Sequence, residues 1–185
     1  MRKIMFLTAL CAACAAVLAT EPVVDPLEKQ AVALANEFVG LLKPQLKQAL
    51  TDGGPAKAIG VCADIAPGIA DSLSDKSGWR VKRVSLKSRN ASRAVPDSWE
   101  ETVLLEFDRR QAAGENPADM HLSEVVGRQY RYMQAQVVEP VCLVCHGQGL
   151  APEVTQTLQE YYPDDWATGY SLGEVRGAIS LSRNL

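Results

Sequence analysis

Apolar residues recur at helical spacing from Val32 through Ala35, Phe38, Val39, Leu42 and Leu46 to Leu50, which predicts a long helix over Leu27 to Leu50. Pro44 falls inside it and is expected to kink or interrupt it, and Gly53 and Gly54 stop it. Pro55 then opens a second helix that carries Ala58, Ile59, Cys62, Ile65 and Ala66 on one inward face, and a third short helix follows near Gly68 to Ser74. The period changes after Gly78, where GWRVKRVSLKS reads as extended chain rich in β-branched residues. A polar loop, SRNASRAVP, leads into PDSWEETVLLEFDRRQAAG, a helix framed by Asp97 and Glu100 as a capping box and ended by Gly114. Two more extended segments, HLSEVV and RQYRYMQAQVV, flank Gly127. The second alternates Arg131, Met133, Ala135 and Val137 against Tyr130, Tyr132 and Gln134, as a half-buried strand does. Pro140 begins a short helix, PEVTQTLQEYY forms another, and the segment ending in GAISLS is a strand. Strands scattered among helices in this way predict an α+β fold, one antiparallel sheet with helices on its flanks and a helical segment in front.

The first residues, MRKIMFLTALCAACAAVLAT, read differently: two cations, an apolar run, then small residues. This is the build of a secretory signal peptide, with cleavage expected after Ala19 and Val17 at the minus-three position. The expected domains are residues 1–19 as signal and 20–185 as a single unit, and the location is the periplasm. Cys14 lacks the preceding Leu of a lipoprotein site, and the apolar run is too short for a membrane span. Loss of Arg2 and Lys3 takes the formal charge from −3 to −5, 17 basic residues against 22 acidic. A mildly acidic chain has no basic face for nucleic acid.

Export also changes the cysteine arithmetic. Cys11 and Cys14 leave with the signal, and Cys62, Cys142 and Cys145 remain, an odd number in an oxidising compartment. Cys142, Cys145 and His146 form C-x-x-C-H, the sequence on which haem vinyl groups become thioethers. On a short helix, positions i, i+3 and i+4 share a face, so two thiols can reach the porphyrin edge and the imidazole the iron. A redox disulfide would need a βαβ context, which the pattern lacks. A zinc site of Cys62, Cys142, Cys145 and His146 has a legitimate ligand set, but adjacent Cys145 and His146 suit a tetrahedron poorly. Haem c, one per chain and covalent, is the expected cofactor.

The run AIGVCADIAP, then RVSLKSRN with PDSWE, then EPVCLVCHG, then YYPDDWATGYSLGEVRGAIS resembles a family of exported c-type haem domains long catalogued as a domain of unknown function. The likeness spans about Leu27 to Ser182. It implies a PAS-like fold and one haem c whose iron takes the attachment histidine and a cysteine from the early helices. Position by position, that makes His146 the proximal ligand, Cys142 and Cys145 the thioether residues and Cys62 the distal ligand. Cys62 alone on an apolar helical face reads as a small buried hydrophobe, and His121 or Met120 are the other candidate axial donors. Arg83, Lys87 and Arg89 are candidates for the propionates, against the ordinary reading of a solvated basic strand. Trp79, Trp99, Trp166, Tyr130 and Tyr132 read as packing, and PDDWATGYSLGEVRG as turn chemistry.

Three functions compete. A redox- or gas-responsive sensor needs one displaceable axial ligand, and an electron carrier needs a reversible couple and a partner protein. A haem enzyme needs an open iron position with distal acid–base groups, and a chain with 2 histidines is poorly supplied. The resemblance favours the sensor, with electron transfer second and catalysis not expected.

Overall fold

The computed structural model describes residues 25–185, so the expected signal peptide lies outside the described residues. Helix α1, Pro26–Gly60, starts where the Asp25 carboxylate accepts the Leu27 N–H at 2.8 Å, the usual remedy for an orphan helix-start donor. Its buried stripe is Ala31, Ala35, Phe38 and Leu42. The helix does not stop at Pro44. Pro44 and Gly40 both face outward, so the carbonyl that proline leaves without a partner can meet water. The break falls at Gly53 and Gly54, the latter at φ 67, a conformation that glycine enters without a Cβ penalty.

From Pro55 the chain runs on without a second break. The expected second and third helices are one rod, joined by a π turn over Val61–Ile65 that passes directly into α2, Ala66–Ser77. A π turn inserts one residue into the helical ladder, and such insertions concentrate at functional sites. Cys62 stands in this one.

Four strands form one antiparallel sheet in the order β1-β4-β3-β2, with β1 Arg80–Val84, β2 His121–Val126, β3 Gln129–Val137 and β4 Val175–Asn184. Helices cover both faces. Against α1 and α2 lie Trp79, Val81, Tyr130, Tyr132, Ile179 and Leu181. Against α3, Ser98–Ala112, lie Val84, Met133, Ala135 and Ala178. Strand β3 is therefore buried on both sides rather than half-buried: its tyrosines go one way and Met133 with Ala135 the other. The capping box of α3 is formed as expected, with Glu100 N–H donating to Asp97 at 3.0 Å and Asp97 N–H to Glu100 at 2.9 Å. Glu100 is fully buried, and Lys82 at 2.7 Å, Arg131 at 3.3 Å and the Ser180 hydroxyl at 2.6 Å neutralise and satisfy it.

Strand β4 carries one irregularity that matters for the site. Its pairing with β3 shifts register between Gln136 and Val137, opposite Gly177 at φ 146. A Cβ on Gly177 would lie 2.3 Å from the Val84 carbonyl oxygen, so only glycine fits there. Such a bulge adds a residue and re-aims its neighbours. Val175 and Ala178 consequently share the α3-side cluster, although regular alternation would put them on opposite faces. The chain then passes from Pro140–Cys142, a single 3-10 turn, into α4, Leu143–His146, and later into α5, Pro152–Tyr161. Val154 and Leu158 of α5, with Tyr162 just beyond it, pack on Ile59. Among the described residues no helix is long and apolar enough to cross a membrane.

Candidate functional site

Between α1, the α1-side sheet face and α4 lies a cleft that encloses about 880 Å³ of space, part of it open to solvent. One end is apolar, from Phe38, Leu42, Leu46 and Ile59, and the other carries Arg83, Arg89, Gln136 and Arg176. Cys62, Cys142, Cys145 and His146 all line it. A second hollow of about 640 Å³ shares Cys62, His146 and Tyr162 with the first and continues past Ala66 and Ala70 to Asn90 and Arg93. Six of the residues singled out from the sequence, Cys62, Arg83, Arg89, Cys142, Cys145 and His146, thus meet at one place.

The other candidates lie elsewhere. Lys87 sits over the Tyr170 ring at 4.9 Å and lines a different hollow beside α3. Met120 is buried in the α3-side core, and His121 on β2 is paired with Glu28 at 3.4 Å and stacked on Tyr132. Trp79, Tyr130 and Tyr132 are core, whereas Trp166 is 74% exposed and packs into neither face. Among the described residues, Cys62, Cys142 and Cys145 form no disulfide. Among the described residues no three His, Cys, Asp or Glu side chains come close enough to hold a bare metal ion. The four donors instead surround a space, which suits a planar group that spans them better than a tetrahedral zinc.

Pro140 starts the segment that carries the motif, and Glu139 N–H donates to Cys142 Sγ at 3.4 Å. His146 ends it, with Nδ1 2.7 Å from the Ala167 carbonyl oxygen and 3.2 Å from Arg176 Nε. Both contacts cannot be hydrogen bonds. A carbonyl only accepts, and 2.7 Å would be repulsive between two lone pairs, so Nδ1 carries the proton and donates to Ala167. The lone pair is then on Nε2, which faces the cleft side with Arg89 Nη1 at 3.5 Å. This is the tautomer a metal-binding imidazole needs.

Burial, followed by the charges of Arg176 and Arg89, holds the His146 pKa well below its ordinary value of 6.5, and the bond to Ala167 only partly opposes them. The ring is therefore neutral at pH 7. A depressed folded-state pKa means that the unfolded chain binds the proton first, so this contribution to stability is present above pH 6.5 and is lost as pH falls below it. With nothing bound in the cleft, the denaturation midpoint should drop between pH 7 and pH 5, and His146→Asn should flatten that slope. An equally steep slope in the variant would show that other groups cause it.

Arg89 is 7% exposed and acts as a clamp. Its Nη2 donates to Cys145 O at 2.5 Å and to Ala167 O at 3.2 Å, and pairs with Asp165 at 3.0 Å. It thereby ties α4 to the loop that orients His146. That loop, 162–174, reads as ordinary turn sequence, yet it supplies Ala167 O, Asp165 and the Tyr170 ring, edge-on to His146 with centroids 6.4 Å apart. Arg176 is the residue that the sequence pattern missed. Alternation along GEVRGAISLS would turn it toward α3, and the bulge at Gly177 turns it into the cleft instead; a glycine inside a strand was the available signal. Burial, then the neighbouring Arg83 and Arg89, lowers its pKa to about 10, still charged at pH 7.

The wall thus has donors to spare. Arg83 donates to neutral Gln136 at 2.9 Å, Arg176 to Ser85 at 2.9 Å, and Arg89 Nε is buried without a partner. A dianionic edge would satisfy them, and two thiols with one neutral imidazole on adjacent turns fit a group anchored at its rim and held axially. The residues fit a haem.

No curated protein matches the chain. A crystal structure described as that of the cyanobacterial haem-protein Tll0287 is similar in fold, with a TM-score of 0.64 at 22% identity, over 87% of this chain and 97% of that one. The Tll0287-like family model matches residues 16–183, nearly the whole sequence, and the chain belongs to the Tll0287-like family.

Proposed function

We propose that this chain is a periplasmic haem c protein that responds to redox state or to a diatomic gas, with Cys142 and Cys145 as thioether anchors and His146 and Cys62 as the axial donors. The observation that carries it is the convergence of these four residues, from two helical segments some 80 residues apart in sequence, on one cleft. The likeness to a cyanobacterial haem protein supports haem as the occupant. Bound there, a haem supplies a one-electron couple and a position for a small ligand.

The protein's own groups would do the rest. His146 presents Nε2 because Ala167 holds the proton on Nδ1. Arg83 and the buried Nε of Arg89 offer donors to carboxylates. Cys62 would complete the coordination from the π turn, and the second hollow beside it gives a thiol room to withdraw and a gas room to enter. That hollow is what favours a sensor over a carrier. Catalysis is disfavoured because the chain's other histidine, His121, lies on the outer strand away from the cleft.

The test is an optical titration of protein made with haem-c maturation. Haem should survive acidified organic solvent, and carbon monoxide or nitric oxide should change the ferrous spectrum. A ferrous spectrum indifferent to both gases, with rapid electron exchange with a small redox protein, would assign electron transfer instead.

A further inference from the structure

Arg176 lies directly behind the imidazole of His146. It is only 8% exposed. Its Nε is 3.2 Å from His146 Nδ1, and its Nη1 donates to Ser85 Oγ at 2.9 Å and to Lys87 O at 3.3 Å. Tyr170 covers one side, its ring centroid 5.3 Å from the guanidinium carbon. Those partners are all neutral, so this charge is not cancelled locally as that of Arg89 is by Asp165. A metal-bound histidine is ordinarily backed by an acceptor, which makes the ring a stronger donor to the metal. Here the acceptor is a single carbonyl with a cation beside it. With the proton on Nδ1, two donors stand side by side, and the guanidinium draws the ring's electron density toward Nδ1 and away from Nε2. In a buried site such a field is weakly screened.

We propose that Arg176 is a positioning residue that raises the reduction potential of an iron held by His146, offsetting the pull of a thiolate on the other side. A fixed cation favours the state with less positive charge, so ferrous iron gains over ferric when one electron is taken up. The inference rests on the haem reading of the cleft.

The experiment is a potentiometric titration of the haem-loaded protein. For Arg176→Gln the ferrous-to-ferric ratio at a fixed applied potential should fall at least tenfold, which is 59 mV for a one-electron couple. Arg176→Lys keeps the charge and should restore most of the ratio. An unchanged ratio in Arg176→Gln, with haem content and spectrum intact, overturns the proposal. So does a lysine variant that falls as far as the glutamine one, because shape rather than charge would then be at work. Where neither accumulates, Ser85→Ala removes the shorter of the two bonds that hold Nη1 and should shift the ratio the same way by less; no shift, or a rise, counts against the idea. The haem reading fails on a different result, a parent protein with no solvent-resistant haem.

Discussion

Cys142→Ala combined with Cys145→Ala should yield a protein that surrenders all its haem to acidified organic solvent, whereas the parent keeps it. Each single variant should retain haem through the remaining sulfur. The effect is all-or-none because the two thioethers are the only covalent links the motif can make. It is also separable from unfolding. Cys145 is partly buried beside Ile59 and Tyr162, and Cys142 beside Val138 and Ala167. Trimming one sulfur at such a margin costs about 1 kcal/mol, which a domain with two covered sheet faces can bear. The measurement is haem retained per folded protein, with helix content as control. Retention of haem by the double variant through extraction would place the attachment elsewhere and sink the proposal.

A change at the opposite side of the cleft should leave the haem attached and alter its electronics. Cys62→Ser should keep covalent haem, remove thiolate features from the ferric optical and magnetic resonance spectra, and raise the potential by roughly 100 mV, a fraction of the ~0.8 V over which axial ligands tune haems. A thiolate is an anionic donor that favours ferric iron, and reduction weakens its hold. Cys62 stands in the π turn and borders both hollows, so it can approach or leave without moving the sheet. Met120→Ala and His121→Ala should leave the ligand field unchanged, since one is in the α3-side core and the other on the outer strand. Were Cys62→Ser spectrally identical to the parent, the thiol would be packing alone.

Much of the fold was legible because it follows local rules. The capping box at Asp97, the strand pair around Gly127, the short helix from Pro140 and the stop at Gly53 and Gly54 all depend on residues within a few positions of one another. Expectations fell short where context outside the segment decides. Pro44 does not end α1 because its unpaired carbonyl lies on the solvent side. Strand β3 is buried on both faces because α1 and α3 approach from opposite directions, and alternation cannot report a second layer.

The site divides along the same line. Chemistry that sits in contiguous residues was readable: C-x-x-C-H carries two thiols and an imidazole at spacings a single helical turn brings together. Cys62, far away in sequence, stood as a leftover thiol until the resemblance gave it a role, and Arg83, Lys87 and Arg89 stood as propionate candidates against the reading of a solvated basic strand. What decided the rest was tertiary. Folding put Arg89 between Asp165 and two carbonyls, brought the 162–174 loop against α4 so that Ala167 fixes the His146 tautomer, and used the bulge at Gly177 to turn Arg176 from the α3 side into the cleft. Spacing along a chain sets which side chains share a face of one element, but a hydrogen bond between two elements depends on how they pack, and a one-residue bulge reverses every facing beyond it.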